Sequence, residues 1–168
     1  MAEIEFIIPP NKPLKVTVES VFSMHDLYRH IRKWLDEHKY VTFEKDYREV
    51  AKESGKSAAI KLAPWRKVDD YTKFCIDIKI KFKDLKEVET RSGILNQGEV
   101  SVKFESFLEK DYENRWENNF MTRFIRSLND HFFISDKLEG YKAELRDDTY
   151  DLFNEIKSFL GLHRIQKP

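Results

Sequence analysis

Residues 72–83 read TKFCIDIKIKFK, with Phe74, Ile76, Ile78, Ile80 and Phe82 alternating against Lys73, Cys75, Asp77, Lys79, Lys81 and Lys83. Successive side chains of a strand point to opposite faces, so this period of two predicts a strand with one buried and one wetted face. Such a strand belongs to an antiparallel sheet covered on one side. Residues 99–107 repeat the pattern, with Val100, Val102 and Phe104 inside and Glu99, Ser101, Lys103 and Glu105 outside. Gly93 and Gly98 are expected to bend the chain between the two strands. A short strand at 87–90 extends or follows the first.

Upstream, residues 3–8 read as a strand stopped by Pro9 and Pro10, and 14–21 as a second with Leu14, Val16 and Val18 on one face. Ser23 with Asp26 predicts a helix start, followed by one apolar stripe of Leu27, Tyr28, Ile31, Trp34 and Leu35 to about His38. Residues 39–47 and 57–62 read as strands joined by a turn at 52–57 (KESGKS). Downstream the period becomes helical. Tyr112, Trp116, Phe120, Phe124 and Leu128 recur every four residues, reinforced by Met121, Ile125 and Phe132. A last helix is expected from near Asp136, with the stripe Leu138, Tyr141, Leu145, Thr149, Leu152, Ile156 and Phe159 and with Gly161 as its C-cap. The whole, 1–168, reads as a single α+β domain in which a curved antiparallel sheet packs against a long C-terminal helix.

Composition narrows the function classes. Hydrophobic residues make up 40% and aromatics 14%, with thirteen Phe, too apolar for a disordered chain. Lys plus Arg and Asp plus Glu number 30 each, so the net charge is zero, whereas a generic polyanion binder shows a basic excess. The reading is therefore no nucleic acid partner. The lone Cys75 forbids an internal disulfide and favours a reducing, cytoplasmic setting. The acidic N-terminal stretch is no signal peptide, and no apolar run reaches the ~20 residues of a transmembrane segment.

The chemical motifs are few. The five histidines show no i, i+3 or i, i+4 pair, and HExxH, GxSxG, Walker and GxGxxG signatures are absent. No catalytic residue, metal site or cofactor is assigned, and the balance leans away from an enzyme. Cys75, beside Lys73, could be an activated thiol, but no positioned base is identifiable. Glu109, Asp111 and Glu113 could serve acid–base chemistry, but helix N-terminal charge, with Asp111 as N-cap and Glu113 in the first turn, explains them fully and is preferred. Lys73, Lys79, Lys81, Lys83 and Lys86 form a basic stripe. The aromatics of that strand have the opposite parity, and Glu99 and Glu105 offer cross-strand partners, so the stripe reads as a solvated charged face.

The order of the helix from Ser23, the strands 72–83 and 99–107 and the long helix from Asp136 resembles the helix-grip fold of the START and Bet v 1-like (SRPBCC) superfamily, with an extra N-terminal strand and the helical pattern at 112–132 added to it. The resemblance implies a curved sheet gripping the terminal helix over an apolar cavity, and it carries over no site residue. Together with the aromatic excess it leads to the first expectation, a non-catalytic binding domain for a small apolar or amphiphilic ligand. The cavity would be lined by Trp65, Phe74, Ile78, Phe104, Trp116 and Phe120. The alternative is an assembly subunit that offers the amphipathic C-terminal helix to a protein partner.

Overall fold

The structure, a computed structural model, describes residues 2–110 and 130–161. Among these, seven strands form one open, curved antiparallel sheet with two helices on one face. Its spine is a hairpin of two long strands, β6 (Thr72–Thr90) and β7 (Gly93–Lys110), paired from Thr72↔Lys110 to Thr90↔Gly93. On its far side β7 is shared end to end by β1 (Glu3–Ile8), which pairs with 106–110, and β2 (Leu14–Phe22), which pairs with 96–104. The far side of β6 is likewise shared by β5 (Trp65–Lys67) and β4 (Gly55–Leu62). The edge strand β3 (Glu44–Lys52) closes the order.

The alternation at 72–83 holds over the buried parity, where Phe74, Ile76, Ile78, Ile80 and Phe82 are all buried. They meet Val100, Val102, Phe104 and Leu108 of β7 on the same inner face. The strands are longer than the alternation alone indicates. At Lys83/Lys86 the register shifts and Asp84 takes φ 52, a bulge that bends β6 without ending it. Gly98 is therefore not a bend between strands, because it lies inside β7 against this bulge. A Cβ there would stand 2.8 Å from the Lys83 carbonyl oxygen. Gly93, at φ 115, does turn the hairpin.

The helix α1 (Met24–Glu37) starts where the cap predicts, with Ser23 Oγ accepting from the Asp26 amide at 3.1 Å. It ends in a Schellman motif. Lys39 N–H donates to Asp36 O at 3.0 Å and Tyr40 N–H to Leu35 O at 2.8 Å, with Lys39 left-handed at φ 63. This unusual lysine cap displaces the strand expected at 39–47. The chain must first turn out of the helix and touch Trp65 through Val41, and β3 begins only at Glu44.

The helix α2 (Asp130–Phe159) is already helical at Asp130, ahead of the start expected near Asp136. The amphipathic pattern at 112–132 lies outside the described residues up to 129, and 130–132 belong to α2. Leu145, Leu152, Phe153 and Ile156 are buried against the sheet, and Phe104 meets Phe153 edge to face at 5.7 Å. Phe159, expected on the stripe, is 36% exposed and Leu160 takes its place. Gly161, at φ 78, caps the helix as predicted. Polar ties fix α2 in rotation. Trp34 Nε1 donates to Asp151 at 2.9 Å, and Tyr40 Oη donates to Asp148 at 2.7 Å. Arg66, seated over the rings of Tyr40 and Phe74, pairs with Glu144 and Asp148. Burial, and then the Asp148 carboxylate, push the Tyr40 hydroxyl far above its ordinary pKa, so it remains a donor. No helix among the described residues is long and apolar enough to cross a membrane.

Candidate functional site

The two helices cover only the inner face, and the outer face of the sheet is where functional groups gather. Antiparallel partners share a face, so the register assembles the outer face row by row. One row runs Asp46–Lys61–Lys79–Lys103–Lys15 across β3, β4, β6, β7 and β2. The next runs Arg48–Ala59–Lys81–Ser101–Thr17. The four lysines of the first row lie within roughly 15 Å at the ordinary strand spacing. Like charges directly opposite are destabilising, so the row needs compensation.

Part of that compensation comes from Glu105, which is 6% exposed and sits diagonally between two lysines. Its Oε1 accepts from Lys103 at 2.7 Å and from Lys79 at 3.2 Å. Burial pushes its carboxyl upward, but the two ammonium groups outweigh that and hold it below the usual range. Lys15, Lys61, Lys81 and Lys83 form no ion pair among the described residues.

Three of these four, Lys15, Lys81 and Lys83, lie around a hollow of about 410 Å³ that reaches from β2 to β3. Lys15, Arg48, Lys52, Lys81 and Lys83 line it against one carboxylate, Glu99, together with the hydroxyls of Thr17, Ser57 and Ser101. Arg48 is held by Asp46 at 2.9 Å, and Thr17 Oγ1 donates to Ser101 Oγ at 3.0 Å. Ser57 Oγ is buried and has no hydrogen-bond partner, which leaves a donor at the wall of a cationic hollow. The β6 bulge follows directly after Lys83, which pairs in register with Glu99 at one end of this hollow.

Further along the same face the row Phe6–Phe107–Cys75–Trp65–Val41 is apolar throughout. Phe6 and Val41 are 48% and 51% exposed, and Phe6 meets Phe107 edge to face at 5.6 Å. Lys73 Nζ stands 5.4 Å from the Trp65 ring centroid. Cys75, in the middle of this row, is 7% exposed and not the half-wetted thiol that its parity suggests. Burial first, then the Glu109 carboxylate, push it up to about 12, so it is no nucleophile at neutral pH. Glu109 instead serves Lys73 at 3.4 Å, while Asp111 and Glu113 lie outside the described residues.

Of the six residues expected to line an apolar cavity, Phe74, Ile78 and Phe104 are 0% exposed and consumed by packing in the core. Trp65 lies on the opposite, outer face, and Trp116 and Phe120 lie outside the described residues. A second hollow, about 340 Å³, opens between α1 and α2 around His30, Trp34, His38, Asp151 and Glu155. There His38 stacks on Trp34 at 3.7 Å, and His30 faces Glu155 at 3.6 Å. No three His, Cys, Asp or Glu among the described residues are placed to hold a metal.

Sequence reasoning found the lysines of β6 and missed Lys15, Lys61 and Arg48. Each sits on the polar parity of its own strand, but only the register puts them beside Lys79 and Lys81. No protein-family model matches the chain, and no curated protein matches it in sequence.

Proposed function

We propose that this protein is a non-catalytic binding module that recognises an anionic partner on the outer face of its sheet. The observation that carries this reading is the hollow in which five cations and an unpartnered Ser57 hydroxyl meet a single carboxylate. Cations crowded in this way repel one another, and an anion relieves the repulsion. The zero net charge does not oppose the reading, because the charge is segregated. Over residues 135–159 the helix α2 holds seven carboxylates against four cations on the far side of the sheet. The apolar stripe of α2, which an assembly subunit would offer to a partner, is spent within the chain.

The test is titration calorimetry with inorganic polyphosphate at several salt concentrations. Binding should weaken steeply with salt, and Lys81→Glu should weaken it about tenfold or more and flatten the salt slope by about one contact. Polyphosphate that binds no better to the native protein than to a Lys61→Glu/Lys81→Glu double variant removes the reading.

A further inference from the structure

The outer face pairs the basic hollow with an aromatic row, and no other described surface has both. The sequence speaks against a nucleic acid because the aromatics of β6 point into the core. The structure supplies aromatics from other strands, since Phe6 of β1, Phe107 of β7 and Trp65 of β5 all stand on the lysine face. Along β6 the hollow's Lys81 and Lys83 stand six and eight residues from the aromatic row at Cys75, roughly 20–26 Å, with Lys79 between them. Between them Asp77 and Glu105 are already engaged by Lys45, Lys79 and Lys103. Their charge is thereby offset, and the step from cations to rings is not an acidic barrier.

We infer that the anionic partner is a single-stranded nucleic acid, with phosphates in the Lys15/Lys81/Lys83 hollow and bases against Phe6, Phe107 and Trp65. The inference rests on the anion-binding reading above and specifies its ligand. A basic groove that tracks the backbone beside rings on which bases stack is how sheets hold single strands without reading sequence. A duplex keeps its bases inside and gains nothing from the rings. A membrane surface has the anionic charge, but it offers no row of flat bases to stack on the three rings. The half-buried Trp65 and Phe107 also lie within the sheet surface and do not project from it.

The experiment compares the intact protein's affinity for a fluorescent oligothymidine of about fifteen nucleotides with that for an abasic oligomer of equal length. Phosphatidylserine vesicles and a duplex are run alongside. The oligothymidine should bind about tenfold or more tighter than the abasic strand, as one stacked base requires. The exposed Phe6→Ala should erase most of that difference and leave the abasic affinity unchanged. Lys61→Glu/Lys81→Glu should weaken both strands. Equal binding of the two strands, both lost in the lysine variant, overturns the nucleic-acid inference and leaves the anion reading standing. Binding to vesicles with none to oligothymidine also overturns it, in favour of a membrane. No binding of either strand, unchanged by the lysine variant, overturns both.

Discussion

Cys75 shows how one residue's chemistry depends on its neighbours. Alternation puts it on the wetted parity, yet Trp65 and Phe107 flank it in register and shut out water. With its pKa pushed up to about 12, almost no thiolate exists at neutral pH. Iodoacetamide should therefore modify native Cys75 far more slowly than the unfolded chain, with a rate still climbing at pH 9. A plateau below pH 8 would show an activated thiol. Glu105 has a consequence of the opposite sign. Its folded pKa lies below the ordinary 4.5, so the folded state favours the carboxylate. That stabilisation is fully present above about pH 4.5 and is lost as pH falls through the lower folded value. Glu105→Gln should flatten the acid limb of stability, measured by urea unfolding between pH 6 and 3. Glu5, held low by Lys142 and then Lys110, and Asp69 contribute limbs of their own that must remain.

At the scale of elements, the bulge of β6 and the glycines against it set the bend that shapes the hollow. Alanine at Gly98 would bring a Cβ within 2.8 Å of the Lys83 carbonyl oxygen and 3.0 Å of Leu85 Cδ2. The backbone carbonyl cannot step aside as the end of a side chain can. Gly98→Ala should therefore cost about 1–3 kcal/mol, the usual range for overpacking. Gly140 lies within α2 with nothing within 4 Å of an added Cβ. Gly140→Ala should stabilise by roughly 0.5–1 kcal/mol through helix propensity. Thermal melts of the two variants should move in opposite directions, and a common direction would refute the assignment of Gly98 to the bulge. The ends of α1 show the limits of motif reading at this scale. Ser23 with Asp26 is legible as an N-cap. A left-handed lysine at Lys39 is not, because glycine is the ordinary choice there.

In the whole molecule, α2 ties the parts together. Leu145, Leu152, Phe153, Ile156 and Leu160 are all buried. At about 1.5–3 kcal/mol for each fully buried side chain, they match the entire marginal stability of an ordinary domain. The polar ties to Trp34, Tyr40, Arg66 and Asp69 would be lost with them. A chain ending at residue 135 should show no cooperative thermal transition by circular dichroism. A sharp transition in that fragment would mean that α2 is accessory and free to serve a partner. The same helix explains why the neutral composition misleads about partners. Its acidic excess lies on one side of the sheet and the unpaired lysines on the other, and a sum over the chain cannot report a separation in space.

The α+β class, the one-sided strands and the terminal amphipathic helix are local properties, and the sequence by itself determined them. The period of two at Phe74–Phe82 and the four-residue spacing from Leu145 to Ile156 each follow from a side chain's direction relative to its own backbone. What only the tertiary structure decided is which strands are neighbours and in what register. Lys15 and Lys103 are 88 positions apart, Phe6 and Phe107 more than a hundred, and no periodicity within either segment encodes the pairing. The bulge at Asp84 also belongs to it, because its left-handed backbone is packed closely by Gly55 and Gly98 of other strands. The basic hollow and the aromatic row are products of register. Side chains innocuous in each strand become a surface only when hydrogen bonding across the sheet fixes who stands beside whom.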